Sequence, residues 1–264
     1  MSSAPVQLSP LPAETASATK AVFNLTNAYL VIGDQANGWL RDIVFADYVS
    51  APDQSVVPTP QLAFITIFQF AEDLSDRRAA DAVRTRMDWK YALHLPLNDP
   101  GFDATVLPEY RQRVLRSSID RLLLQRLIGH VAAVGLLPLT ERQGITVADM
   151  LISIGNLNRI EELFDALCSA LGALASRYPD WLRKAALPHW YERYSRPPLN
   201  LRLPHGRSEQ EDLARKIGGD ADYLLAEVDR AGLDGASDLE EIRLLRNIRQ
   251  SDRQPADHGA RQSP

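Results

Sequence analysis

Ten basic side chains fall between residues 75 and 126: Arg77, Arg78, Arg84, Arg86, Lys90, Arg111, Arg113, Arg116, Arg121 and Arg126. Seven carboxylates in the same stretch leave it near +3 inside a chain of net charge −5, so the remainder carries about −8. Guanidinium groups at this density suit one chemistry. They take phosphate oxygens through paired N–H donors, and such contacts need positive charge locally rather than over the whole protein. The same pattern has a second reading. Asp76, Asp81 and Asp88 interleave with the arginines, and i,i+4 ion pairs on a solvated helix face would use the same residues. Trp89 and Tyr91 in "MDWKYAL" have rings that stack on bases, but aromatics flanked by apolar residues more often pack in cores.

The elements that must carry these side chains are helical. "TPQLAFITIFQFAEDL" predicts a buried helix, apolar on most faces, with Thr59 as N-cap and Pro60 at the first helical position. Asp73 and Leu74 predict a turn, and Ser75 caps a second helix-like segment over 74–95, in which Ala79, Ala80, Val83 and Met87 face the first. After the Pro- and Gly-punctuated loop "HLPLNDPGF", helix returns near Pro108 and runs to about Val134, with a break near Ser117-Ser118. A long amphipathic helix follows from about Val147 to Ser176. Its stripe is Met150, Ile154, Leu157, Phe164, Leu167, Leu171 and Leu174, and Pro179 closes it. "SRPPLNLRLPHGR" reads as an extended connector, because its prolines remove backbone donors. Three short helices come next: one capped by Ser208 and Glu211, one following Asp220 and one following Asp238. Strand signals are confined to a short piece near "AYLVIG".

Other chemistries find little support. There is no Gly-rich phosphate loop and no CxxC pair, and the histidines at 94, 130, 189, 205 and 258 lack metal-ligand spacing. Cys168, the one cysteine, fits a small core residue and a reducing compartment. No apolar run reaches the roughly 18 residues of a membrane span, and the N-terminus has no signal-peptide pattern.

Read together, "QLAFITIFQFAEDLSDRRAADAVRTRMDWKYALHLPLNDPGFDATVLPEYRQRVL" resembles the N-terminal region of bacterial insertion-sequence DDE transposases. The resemblance continues in order through "LNRIEEL", "YPDWLRK", "WYERY", "LRLP" and "LEEIRLLR", over roughly residues 25–250. It implies binding to the element's terminal inverted repeats through the N-terminal region. It also implies strand transfer at a site where three carboxylates hold two divalent metals. The first of those acids precedes the "LNRLE"-like block. Here the matching stretch is "GITVADM", and Thr146 occupies the position. A hydroxyl does not replace an anionic ligand. Asp149 lies three residues on, at capping-box spacing from Thr146. The other two acids belong to a downstream region that this chain does not reach, so the resemblance implies a truncated family member without catalytic residues.

The expectation is a mostly α protein, a multi-helix bundle with a helix-turn-helix-like pair and disordered N- and C-terminal tails. Its segments are a disordered lead-in (1–22), a helical DNA-binding domain (23–138), a long helix and following helical segment (139–195), short helices (196–250) and a disordered tail (251–264). The DNA-binding candidates are Arg77, Arg78, Arg84, Arg86, Lys90, Arg111, Arg113 and Arg116. Double-stranded DNA is the expected partner, with a homo-oligomer or an intact transposase as a further one. No membrane, small-molecule ligand or cofactor is expected, Mg²⁺ belonging only to a complete family member, and the expected location is the cytoplasm, at the nucleoid. An oligomerisation module built on the long helix, or one part of a split or frame-shifted transposase, are the competing readings.

Overall fold

The computed structural model describes residues 7–43, 57–137, 145–195, 203–204 and 206–253. Among them there are twelve helices and no strand, and the chain divides into two compact units at Gly155/Asn156.

Unit 1 begins with α1 (Ala13–Val22) and α2 (Ala28–Ile43). Both differ from expectation. The piece near "AYLVIG" is helical because its apolar residues recur at helical spacing, with Tyr29, Leu30, Ile32, Gly33, Ala36 and Leu40 turned inward. The lead-in read as disordered is folded from Leu8 onward. Leu8 is buried, its N–H donates to Asn37 Oδ1 at 2.7 Å, and Asn37 Nδ2 donates back to the Leu8 carbonyl. Thr15 and Thr19 of α1 are also buried, and the Thr15 hydroxyl donates to the Leu95 carbonyl at 2.8 Å. Two polar residues that read as lead-in are in fact core contacts.

Helix α3 (Thr59–Ala71) is the central element. Every residue from Thr59 to Gln69 is buried, as an all-round apolar helix must be. Thr59 is its first helical residue rather than its cap, and Pro58 precedes it. Its neighbours are α4 (Asp76–Thr85), α6 (Val106–Arg116) and α7 (Ser118–Val134). The segment 74–95 is two helices, α4 and α5 (Met87–Ala92), because Arg86 adopts extended backbone and ends the first. Ser75 caps α4 by accepting from the Arg78 N–H, and Ser117 caps α7 by accepting from the Asp120 N–H, so the expected break there is real.

Helix α5 carries the largest buried side chains, Trp89 and Tyr91. Phe68 meets Tyr29 edge-on at 4.9 Å and Trp89 at 5.3 Å. Helix α2 reaches α5 closely only because residue 33 is glycine: a Cβ there would lie 2.7 Å from the Tyr91 ring. The first turns of α8 (Val147–Arg177), with Val147, Met150, Leu151 and Ile154, complete this core.

Unit 2 is built from the rest of α8 together with α9 (Pro179–Ala185), α10 (Pro188–Tyr194), α11 (Arg207–Ala231) and α12 (Glu240–Arg253). Its core gathers Leu157, Phe164, Leu167 and Leu174 of α8 with Trp190, Ile217, Leu224 and Leu245. The helices expected after Ser208 and after Asp220 are one element. Asp220 starts nothing: it is buried mid-helix, where His189 (2.9 Å), Arg193 and Tyr194 (2.5 Å) of α10 converge on its carboxylate. Residues 251–253, expected as the start of a tail, belong to α12, and 254–264 fall outside the described residues, as do 1–6 and the connector residues 196–202.

Candidate nucleic-acid interface

The eight arginine and lysine candidates separate by what their charged ends touch. Lys90 is buried, and its ammonium donates to the carbonyls of Leu97 and, at 3.0 Å, Asp99, closing the loop after α5. Arg111 of α6 forms a two-point pair with Asp76 at the start of α4, at 2.5 and 2.6 Å, with both side chains about 15% exposed. Arg113 donates to the Thr59 hydroxyl at 2.6 Å, pairs with Asp120 and lies over the Tyr110 ring. Arg86 pairs with Glu72 and Asp88 while its guanidinium lies 5.3 Å from both the Tyr29 and Trp89 rings. Burial works against its charge, but the hydrogen bonds to Asp88 and Glu72 outweigh it and raise the pKa above the ordinary arginine value. These four hold helices together.

Three others, Arg77, Arg84 and Arg116, are exposed. Arg77 and Arg84 lie on the exposed face of α4 with Asp81 between them, and Arg84 pairs with Asp81 in solvent. Arg78, one position from Arg77, is half-buried. Arg116 is exposed at the end of α6, and Arg121 and Arg126 are exposed along α7. The outward positive surface of unit 1 is therefore smaller than the residue count implies. Pairing on a solvated helix face is seen for Arg84 with Asp81, whereas Arg86, Arg111 and Arg113 pair across elements. Sequence reasoning did not identify the structural set, because the partners Glu72, Thr59 and the Leu97 carbonyl come from turns and neighbouring helices.

Residues 34–113 match the family model described as "Transposase domain (DUF772)". This chain carries a transposase-like segment. It extends from α2 to α6 and includes all the candidates except Arg116, which lies just beyond it. No curated protein and no solved structure matches the chain.

Beyond the transposase-like segment, Thr146 stands immediately before α8. Its hydroxyl donates to Asp149 Oδ2 at 2.6 Å, its N–H donates to the same oxygen at 3.2 Å, and the Asp149 N–H donates to the Thr146 hydroxyl at 3.1 Å. This is the reciprocal capping box that the spacing predicts. Both side chains are committed to the helix start. Among the described residues no three His, Cys, Asp or Glu side chains come together as metal ligands.

The remaining nucleophile and base candidates have structural surroundings. His94 is buried with its two ring nitrogens against the carbonyls of Ser9 (2.6 Å) and Gly33 (2.8 Å). His130 stacks on Trp39 at 5.0 Å, and His189 is bound to Asp220. His205 and His258 lie outside the described residues. Cys168 is half-buried, and burial pushes its thiol up to about 11, away from the reactive thiolate. No helix is long and apolar enough to cross a membrane among the described residues.

Proposed function

We propose that this protein binds double-stranded DNA at insertion-sequence ends through its transposase-like segment, and that it has no strand-transfer activity of its own. The match of residues 34–113 to a transposase domain carries the reading. Exposed arginines supply the contact: Arg77 and Arg84 on α4, within that segment, and Arg116 at the end of α6, just beyond it. Helices α3 and α4, joined by the turn at residues 72–75, have the outline of a helix-turn-helix in which the central helix is buried and the second offers its outer face to a groove. The absence of strand transfer rests on Thr146, whose hydroxyl and backbone are bound up with Asp149 where the resemblance calls for an ionised ligand. A protein with these properties acts in the cytoplasm at the nucleoid, needs no cofactor and competes with an intact transposase for the terminal inverted repeats.

The test is fluorescence anisotropy against duplexes taken from the DNA flanking the gene, with scrambled controls and a salt series. Each phosphate contact contributes about 0.9 to the slope of log K against log salt, so Arg77→Ala with Arg84→Ala makes the slope shallower by about 2. An affinity and slope equal to wild type in that double variant overturn this placement of the DNA face. Mg²⁺ or Mn²⁺ added to the same duplexes produces no nicking. Metal-dependent nicking that purifies with the wild-type chain overturns the catalytic part of the reading.

A further inference from the structure

Helix α7 belongs to unit 1 but lies beyond the transposase-like segment. Helices α2, α3 and α6 pack on it, and Leu123, Leu124, Leu127, Ile128 and Val131 form its buried side. Successive helical residues turn by about 100° around the axis. On that wheel the exposed arc holds, in order, Arg121, Gln125, Leu122 and Arg126, so the two arginines stand about 140° apart with an amide and a leucine between them. No carboxylate stands on this arc. The one acid of α7, Asp120, is buried and pairs with Arg113.

Two features separate this face from one that merely meets water. The first is apolar. Leu115, Ile119 and Leu122 are 59%, 37% and 42% exposed and fall together at the α6–α7 junction, a grouping that marks a contact surface more than scattered single residues do. The second is uncompensated charge. Among the described residues Arg116, Arg121 and Arg126 form no ion pair, although α2 and α6 carry the exposed carboxylates Asp34, Asp42 and Glu109. Arg121 donates to the Leu115 carbonyl at 2.8 Å, an uncharged partner. On α4, by contrast, Arg84 is already paired with Asp81. An apolar protein surface laid over Leu122 would strip water from these guanidiniums and give them no anion. The cover that fits has negative charge on both sides and mixed apolar and polar groups between. The major groove of a duplex has this form: it is about 12 Å wide, it admits a helix about 10–12 Å across, and phosphates line both walls. Its floor offers thymine methyls to a leucine and adenine edges to a glutamine.

We propose that α7 enters the major groove of duplex DNA, with Arg121 and Arg126 on the phosphates of opposite walls and Gln125 and Leu122 against the base edges, as a contact separate from the arginines of α4. That the duplex is the partner rests on the reading under Proposed function, whereas the placement on α7 rests on the composition of its exposed arc. The arginines hold the helix in register, and the two residues between them read the sequence.

The experiment titrates the full chain with a duplex from the DNA flanking the gene and with its scrambled control, by anisotropy over a salt series, and records sedimentation velocity of the chain alone. All four positions are exposed and the replacements favour helix, so the variants stay folded by circular dichroism. Arg121→Gln with Arg126→Gln makes the salt slope shallower by about 1.8, from two phosphate contacts at about 0.9 each. Gln125→Ala leaves the slope as it is and lowers the preference for the flanking duplex over the scrambled one about tenfold. Leu122→Glu, which sets a carboxylate against the groove, weakens both duplexes at least tenfold. A wild-type slope in the double glutamine variant overturns the inference, and if binding still depends on Arg77 and Arg84 the DNA reading stands without α7. A dimer that Leu122→Glu dissociates, with duplex affinity unchanged, assigns this face to a second copy of the chain and overturns the inference as well. A wild-type chain that binds neither duplex overturns the DNA reading and this placement with it.

Discussion

At the scale of single residues, the same side-chain type does opposite work a few positions apart. Arg111 and Arg116 lie on one helix, five residues from each other, yet Arg111 is enclosed with Asp76 while Arg116 is solvated. Removing one member of an enclosed ion pair leaves the other charge desolvated and unmatched, whereas removing a solvated charge leaves nothing behind. Arg111→Ala therefore costs about 2–4 kcal/mol of stability, and Arg116→Ala stays within about 0.5 kcal/mol. Urea unfolding followed by tryptophan fluorescence measures both. Equal midpoints for the two variants would sink the division of the arginines into structural and outward sets. This division was not legible in the sequence. The spacing of Asp76 to the arginines within its own segment suggested local pairs, but its partner is 35 residues away.

At the scale of elements, α8 decides the fate of the oligomerisation reading. Its stripe was legible, because apolar residues at helical spacing must be covered by something. What covers them was not. Met150 and Ile154 belong to the core of unit 1, and Leu157, Phe164, Leu167 and Leu174 to that of unit 2, all of them essentially inaccessible. A carboxylate forced into such a place has no partner and no water. Leu157→Asp accordingly unfolds unit 2, at a cost of at least about 4 kcal/mol, instead of yielding a folded monomer. Circular dichroism together with sedimentation velocity distinguishes the outcomes. A folded variant of reduced mass would return α8 to the list of protein-contact surfaces. Two of the expected caps, Ser75 and Thr146, begin helices as their types predict, since an N-cap needs only its own side chain and the next turn, whereas Thr59 lies inside α3 and α11 starts at Arg207 with Gly206 before it and no cap from Ser208.

At the scale of the molecule, each unit has its own core, and unit 2 has an acid-sensitive centre. Burial pushes the Asp220 carboxyl upward, but hydrogen bonds from Tyr194, His189 and Arg193 prevail and hold it below the ordinary carboxylate value. Asp229 is shifted the same way by Arg246. A carboxyl whose folded pKa is depressed contributes its full stability above the unfolded value, about 3.9, and loses it as the pH falls through the lower, folded one. Stability of unit 2 therefore falls as the pH is lowered below about 4, and Asp220→Asn flattens that acid limb. Urea midpoints recorded from pH 6 to pH 2.5 give the slope, and identical slopes in wild type and Asp220→Asn would refute the assignment.

What the sequence determined by itself was the helical class, the capped starts of α4 and α8, the apolar stripes and the likeness to a transposase domain, all of which depend on residues close in the chain or on their order. Tertiary structure alone decided which charges are spent. Asp220 read as a helix start and became the polar hub of unit 2 because α10 lies against it. Arg86 and Lys90 read as DNA contacts and became the ties of unit 1 because Glu72 and the loop at Leu97 reach them. A guanidinium carries the same charge everywhere in a sequence. Whether it faces water or a carboxylate from a distant segment is settled only when the chain has folded.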